Sequence, residues 1–286
     1  MLPGGDLPLY LLEVTRGTTL KTLLRIACTG LIIALTASIA AAAAPAIIIN
    51  TGAAASKHAV RVAPPAPANG TLPPGATLPS DAACAAAVHP VPEVRAVNTT
   101  FNHTKGNGGP QTGIYTRVTG NLTGTTDELI QWAACKWGFD TDTIRAQVAV
   151  ESWWHQDAAG DLSSDPTHCV PGHPIGADGH PGQCPESIGL LQLRFPYIPL
   201  AFPSATTSSA YNLDYALAAR RSCFEGNETW LNTVERGRNY AAGDLWGCMG
   251  MWFSGRWYTQ PAIDYIAKVQ DYLARRVWES SDFKGG

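Results

Sequence analysis

Charge is scarce along this chain. Only 15% of its 286 residues are Asp, Glu, Lys or Arg, and 20 basic residues face 23 acidic ones, a formal net charge of −3. Setting residues 1–46 aside leaves 17 cations against 21 anions, or −4. That balance lacks the basic footprint by which nucleic acid is held, so no nucleic-acid partner is expected. Internal repeats are absent as well. The C-terminal half shows no convincing run of alternating apolar and polar residues, so strands are not expected there. Tryptophan is missing from residues 44–120, a stretch rich in Pro, Thr, Ala and Gly, whereas all nine Trp fall between Trp132 and Trp278. The packed core is therefore expected in the C-terminal half.

What is present begins with an uncharged apolar run over residues 26–49. At about 1.5 Å per residue it is long enough for a bilayer core of roughly 30 Å. Residues 1–25 form an n-region whose Lys21 and Arg25 flank the run on the side expected of a signal peptide or a transmembrane anchor, and both fates stay open. Either one implies export, with the membrane met only through this segment. Cys28 has Arg25 where a lipidated cysteine needs an apolar run, and reads as a small apolar residue. Six cysteines remain, an even number that reads as three disulfides in an oxidising compartment. Local closure favours Cys169 with Cys184 and Cys223 with Cys248, which leaves Cys84 for Cys135. Residues 50–83, centred on VAPPAPANGTLPPGATLP, read as a disordered linker, and residues 84–124 as an extended arm packed on the domain.

From residue 125 to 286 the pattern is helical. Thr125 and Thr126 are good N-caps, followed by Asp127 and Glu128, with Gly138 as a stop. A second helix from Asp140 or Thr141 carries Ile144, Val148, Val150 and Trp154, placing Glu151 near its end. Shorter helices are expected around Ser187–Leu193 and Ala210–Ser222. A last one runs from Pro261 through Trp278, with Ile263, Ile266, Val269, Tyr272, Leu273 and Val277 as its apolar stripe. Glu151 sits among Val148, Val150, Trp153 and Trp154, and such surroundings would desolvate a carboxyl group and keep it protonated near neutral pH. Taken alone, a single Glu at a helix end is equally an ordinary ion-pair partner. Arg220 and Arg221 read as solvated helix-end cations.

An ordered series of short motifs extends the case: Glu151-Ser152, then Ser187-Ile188-Gly189-Leu190-Leu191-Gln192, Asn212-Leu213-Asp214, Gly250-Met251-Trp252-Phe253-Ser254-Gly255 and Tyr265-Ile266. In this order the set resembles the catalytic domain of lytic transglycosylases of the soluble, goose-lysozyme-like kind, over about residues 125–279. The resemblance implies an all-α, lysozyme-like domain acting on peptidoglycan glycan strands, with no cofactor and no metal, as an extracytoplasmic monomer. It implies Glu151 as catalytic acid and base. Ser187, Gln192, Asn212, Trp252, Trp153 and Tyr265 become the candidate substrate-binding residues.

Two departures from the family pattern stand out. Phe253 replaces an Asn, and Glu151 lies 36 residues before Ser187, an excess read as an insertion closed by Cys169 and Cys184. That insertion holds His168, His173 and His180, whose spacings fit no common zinc pattern. A goose-type lysozyme of the same fold would need a second carboxylate, which Asp157, Asp161 or Asp165 would supply. A wall-binding module without activity is the third possibility.

Overall fold

A computed structural model of the chain describes residues 70–110, 112–233 and 239–285, all within one compact unit spanning Ala59–Gly286. The n-region, the apolar run and linker residues 50–69 lie outside the described residues. Among the described residues no helix is long and apolar enough to cross a membrane.

The described chain is mostly helical. Helix α1 spans Asp81–Ala86, α2 Thr99–Asn102, α3 Thr126–Trp137 and α4 Thr141–Ser152. A small sheet follows, with β1 at Ala159–Ser163, β2 at Cys184–Ile188 and β3 at Leu193–Arg194. The remaining helices are α5 (Ser204–Thr207), α6 (Ser209–Phe224), α7 (Leu245–Ser254), α8 (Gln260–Arg275) and α9 (Ser281–Gly285). The sheet corrects the all-α expectation. Its strands run antiparallel in the order β1-β2-β3, with Gly160 opposite Ser187 and Ser187 opposite Arg194. Residues 187–193, read from sequence as a short helix, are instead the end of β2, a tight turn and the start of β3. All five residues of β2 are buried, so its pattern is continuous and shows no alternation to read.

Helix boundaries follow from local chemistry. The Thr125 hydroxyl accepts from the Glu128 N–H while Glu128 Oε2 accepts from the Thr125 N–H at 2.8 Å, a reciprocal cap at the start of α3. Gly138 ends it at φ +66°, and a side chain there would crowd Leu72. Asp140 caps α4 through the Thr143 N–H at 2.8 Å. Helix α3 packs on α4 and α6, α4 on α8, and α7 on α6 and α8. Trp132, Trp137, Trp154, Trp246, Trp257 and Trp278 are all buried in this core. On α8 the inward stripe is Ala262, Tyr265, Ile266 and Val269, while Ile263 is 42% exposed and faces outward.

Residues 70–124 are bound tightly to the helices. The Leu72 N–H donates to the Gly138 carbonyl at 2.8 Å, and Arg221 donates to the carbonyls of Leu72 (2.9 Å) and Pro73 (2.7 Å). Residues 70–83 are thus ordered on the domain, unlike the disordered linker expected for 50–83, because the buried Arg221 donates to two of their carbonyls. The described residues of 84–124 pack on the domain as irregular chain interrupted by the end of α1, by α2 and by 3₁₀ turns at Ala96–Asn98 and Gly113–Arg117. Asp214 of α6 anchors them, accepting from the N–H groups of Thr119 (2.8 Å) and Gly120 (2.9 Å), Lys136 Nζ (2.7 Å) and Trp137 Nε1 (2.7 Å). Three disulfides are formed in the expected pairing, Cys84–Cys135, Cys169–Cys184 and Cys223–Cys248, with Cα–Cα separations of 5.6, 5.4 and 5.8 Å. Three such bonds fit an oxidising, extracytoplasmic environment.

Candidate active site

Helix α4 ends at Ser152, one residue after Glu151, and the reason is local. Trp153 and Trp154 both adopt left-handed backbone, at φ +52° and +61°, which aromatic residues avoid unless held. The arm holds them. Arg95 Nε donates to the Trp153 carbonyl at 3.0 Å and Asn98 Nδ2 to the Trp154 carbonyl at 2.6 Å. Ser152 Oγ reaches the Leu190 carbonyl at 2.9 Å and ties the helix end to the turn after β2. The last turn of α4 is thereby clamped from two sides.

Glu151 keeps one partly exposed edge, but its carboxyl group is enclosed by protein. The Tyr265 hydroxyl of α8 donates to Glu151 Oε1. Gln147, one turn earlier on the same face of α4, donates from Nε2 to the Tyr265 oxygen at 3.1 Å. Phe253 stacks on the Tyr265 ring at 4.8 Å between centroids, with planes 4° apart. Phe253 thus covers one face of the tyrosine ring. Burial pushes the Glu151 carboxyl up from 4.5 to about 7, and the negative charge of Asp161 adds to it. The Tyr265 hydrogen bond and the charges of Arg220 and Lys268 pull the other way.

Across from the helix end, Ser187 Oγ on β2 lies 2.9 Å from Asp161 Oδ2 and 3.1 Å from Gln192 Oε1. One hydroxyl proton serves only one of them at a time. Gln192 is oriented by donating from Nε2 to the carbonyls of Ala158 and Gly189, each at 2.9 Å. Asn212 braces the turn from below. It accepts from the Leu191 N–H at 2.9 Å, donates to the Ile188 carbonyl at 3.1 Å, and is wholly buried. Gly189, at φ +85°, permits this approach, since a Cβ there would fall 2.2 Å from Asn212 Nδ2. Trp252 Nε1 donates to the Leu191 carbonyl at 3.2 Å.

Of the residues proposed from sequence, Tyr265 touches Glu151, and Ser187 at the end of the central strand is joined to Gln192 in the turn that follows it. Asn212 and Trp252 hold the turn between β2 and β3 by side-chain bonds to its backbone. Trp153 packs on Tyr272 and Phe283, with ring centroids 5.9 and 4.6 Å away. Of the three acidic residues that follow Glu151, Asp161 is the one whose charge acts on it. Asp157 is half exposed beside His155, and Asp165 caps the turn at Thr167. Asp161 stands on a paired strand and not in a loose loop. In the insertion, His168 Nδ1 lies 2.8 Å from Glu186 and His173 Nδ1 2.7 Å from Asp178. Among the described residues no group of His, Cys, Asp and Glu is arranged to hold a metal ion.

Sequence reasoning missed Gln147 and misjudged Arg220, which is fully buried behind the site and not solvated. The spacing Gln147-x-x-x-Glu151 was the available signal, since residues four apart share a helix face. Comparison with family models, curated proteins and solved structures returned no match.

Proposed function

We propose that this chain is a peptidoglycan lytic transglycosylase, cleaving the MurNAc-GlcNAc β-1,4 bond with Glu151 as its acid and base. The observation that carries this reading is the enclosed Glu151 carboxyl, poised near neutrality by burial and held by Tyr265 at the end of a clamped helix. A carboxyl near pH 7 can be neutral when it meets substrate and still give up its proton. Glu151 protonates the leaving glycosidic oxygen as the anomeric C–O bond breaks. As a carboxylate it then takes the proton of the muramyl 6-hydroxyl while that oxygen bonds to the anomeric carbon. The product is a 1,6-anhydro end, and no water enters. The three disulfides favour action outside the cytoplasm.

Asp161 favours a second reading, hydrolysis of the same bond as in a goose-type lysozyme. It stands on β1, its charge acts on Glu151, it accepts from Ser187, and it would serve as the base that activates a water. Digestion of purified peptidoglycan by wild type, Glu151→Gln and Asp161→Asn, with mass spectrometry of the fragments, separates the readings. Anhydro ends, lighter by one water, with turnover lost in Glu151→Gln and retained in Asp161→Asn, are expected of the transglycosylase. Reducing MurNAc ends with dependence on Asp161 identify the hydrolase. Retention on insoluble wall without any fragments, in a folded protein, would leave only a binding module.

A further inference from the structure

Arg220 of α6 is wholly buried, and among the described residues no carboxylate forms an ion pair with it at contact distance. Its Nη1 donates to Gln147 Oε1 and also lies 3.4 Å from Met249 Sδ. Its guanidinium carbon stands 5.2 Å from the Trp252 ring centre. Nε and Nη2 have no hydrogen-bond partner among the described residues. A buried cation left this way is costly unless something nearby uses its field. The groups that face Glu151 are Tyr265 and Lys268 of α8, Asp161 of β1 and Arg220 of α6. Arg220 is coupled to the carboxyl through an unbroken chain of hydrogen bonds.

The direction of that chain follows from donor chemistry. A guanidinium only donates, so the Gln147 oxygen must face Arg220 and its NH₂ must face Tyr265. The Tyr265 oxygen accepts from that NH₂, which aims the tyrosine hydrogen at Glu151 Oε1. With Oε1 occupied as an acceptor, the proton of neutral Glu151 belongs on Oε2.

We propose that Arg220 is a positioning residue of the Glu151 site: through Gln147 and Tyr265 it keeps Oε1 an acceptor, directs the transferable proton to Oε2, and supplies the positive charge against which the carboxylate forms. The carboxylate is the species present between the two proton transfers, so its stabilisation matters to both steps. Arg220 itself is pulled down by burial to about 10 and stays charged at neutral pH. The assignment of a catalytic effect rests on the glycan-cleaving reading. The effect on the carboxyl does not.

The test is therefore a direct titration of Glu151 by ¹³C NMR of carboxyl-labelled protein, its signal assigned by absence from Glu151→Gln. In Arg220→Met, similar in length and uncharged, the Glu151 midpoint should rise by about one pH unit or more, as expected for a lost opposite charge. Gln147→Leu keeps the cation and cuts the chain, and should raise the midpoint by a smaller amount. Arg220→Lys should restore part of the wild-type value. On peptidoglycan, the limb on which activity falls with rising pH should move up in parallel, whereas a merely structural role would lower activity without moving that limb. An unmoved Glu151 midpoint in folded Arg220→Met overturns the proposal. If that variant does not fold, an unmoved midpoint in Gln147→Leu does so. A moved midpoint in a protein that cleaves no glycan upholds the coupling and refutes only the enzymatic reading.

Discussion

Replacing Glu151 by Gln should stabilise the protein at alkaline pH and leave it unchanged at acid pH. The neutral amide still accepts the Tyr265 hydrogen but can never become charged. In the wild type the carboxyl is raised from 4.5 to about 7 in the folded state, chiefly by burial. Below about pH 4.5 both folded and unfolded forms are protonated, and ionisation contributes nothing. Between the two values the unfolded chain ionises first, so folding loses free energy steadily, and above about pH 7 the loss is complete. At about 1.4 kcal/mol for each tenfold change in proton affinity, it amounts to roughly 3 kcal/mol. For a domain of this size that corresponds to a melting-temperature gain of about 5–10 °C in the variant. Thermal unfolding of both proteins at pH 4 and pH 8, disulfides intact, reads this directly. An advantage of Glu151→Gln that is equal at the two pH values, or absent at pH 8, would show that the carboxyl is not held up by its surroundings, and the catalytic reading would lose its physical basis.

Two further outcomes test the frame around the site. Asp214→Asn weakens the anchor shared by Lys136, Trp137 and the Thr119-Gly120 backbone. Lys136 keeps its contact with Asp81 at 2.7 Å, so a loss of about 3 kcal/mol is expected in denaturant unfolding, with residues 70–110 and 112–120 losing hydrogen-exchange protection first. Gly189→Ala sets a Cβ against Asn212 in left-handed backbone, and should cost about 2 kcal/mol or more with turnover falling alongside. A fully stable and active Gly189→Ala protein would mean that the turn carrying Gln192 does not need its present shape.

Much of this architecture can be read along the chain. The caps at Thr125 and Asp140, the stop at Gly138 and the position of Glu151 at a helix end are local features, decided within a few residues. The three disulfides were legible too, because two loops close locally and leave a single remaining pair. Short strands escaped notice since β2 is buried throughout and β3 contains only Leu193 and Arg194, too little for any periodicity. Ordering of residues 70–83 was equally invisible. Their Pro-rich composition favours a linker, and the fold brings partners to their carbonyls: the buried Arg221, some 150 positions away, for Leu72 and Pro73, and Arg117 for Pro79.

The sequence by itself determined α3, α4, α6 and α8, the caps of the first two, the cysteine pairing and Glu151 as a carboxyl among apolar neighbours, because these depend chiefly on residues nearby in the chain. Tertiary structure decided the rest. It set Tyr265 of α8 against that carboxyl and Phe253 of α7 against the Tyr265 ring, brought the charge of Asp161 on β1 to bear on it, and buried Arg220 behind it at the end of a hydrogen-bond chain. Those relations join residues up to 118 positions apart, and the proton affinity of a buried group depends on which charges and donors the fold brings within reach, whatever their separation in the chain.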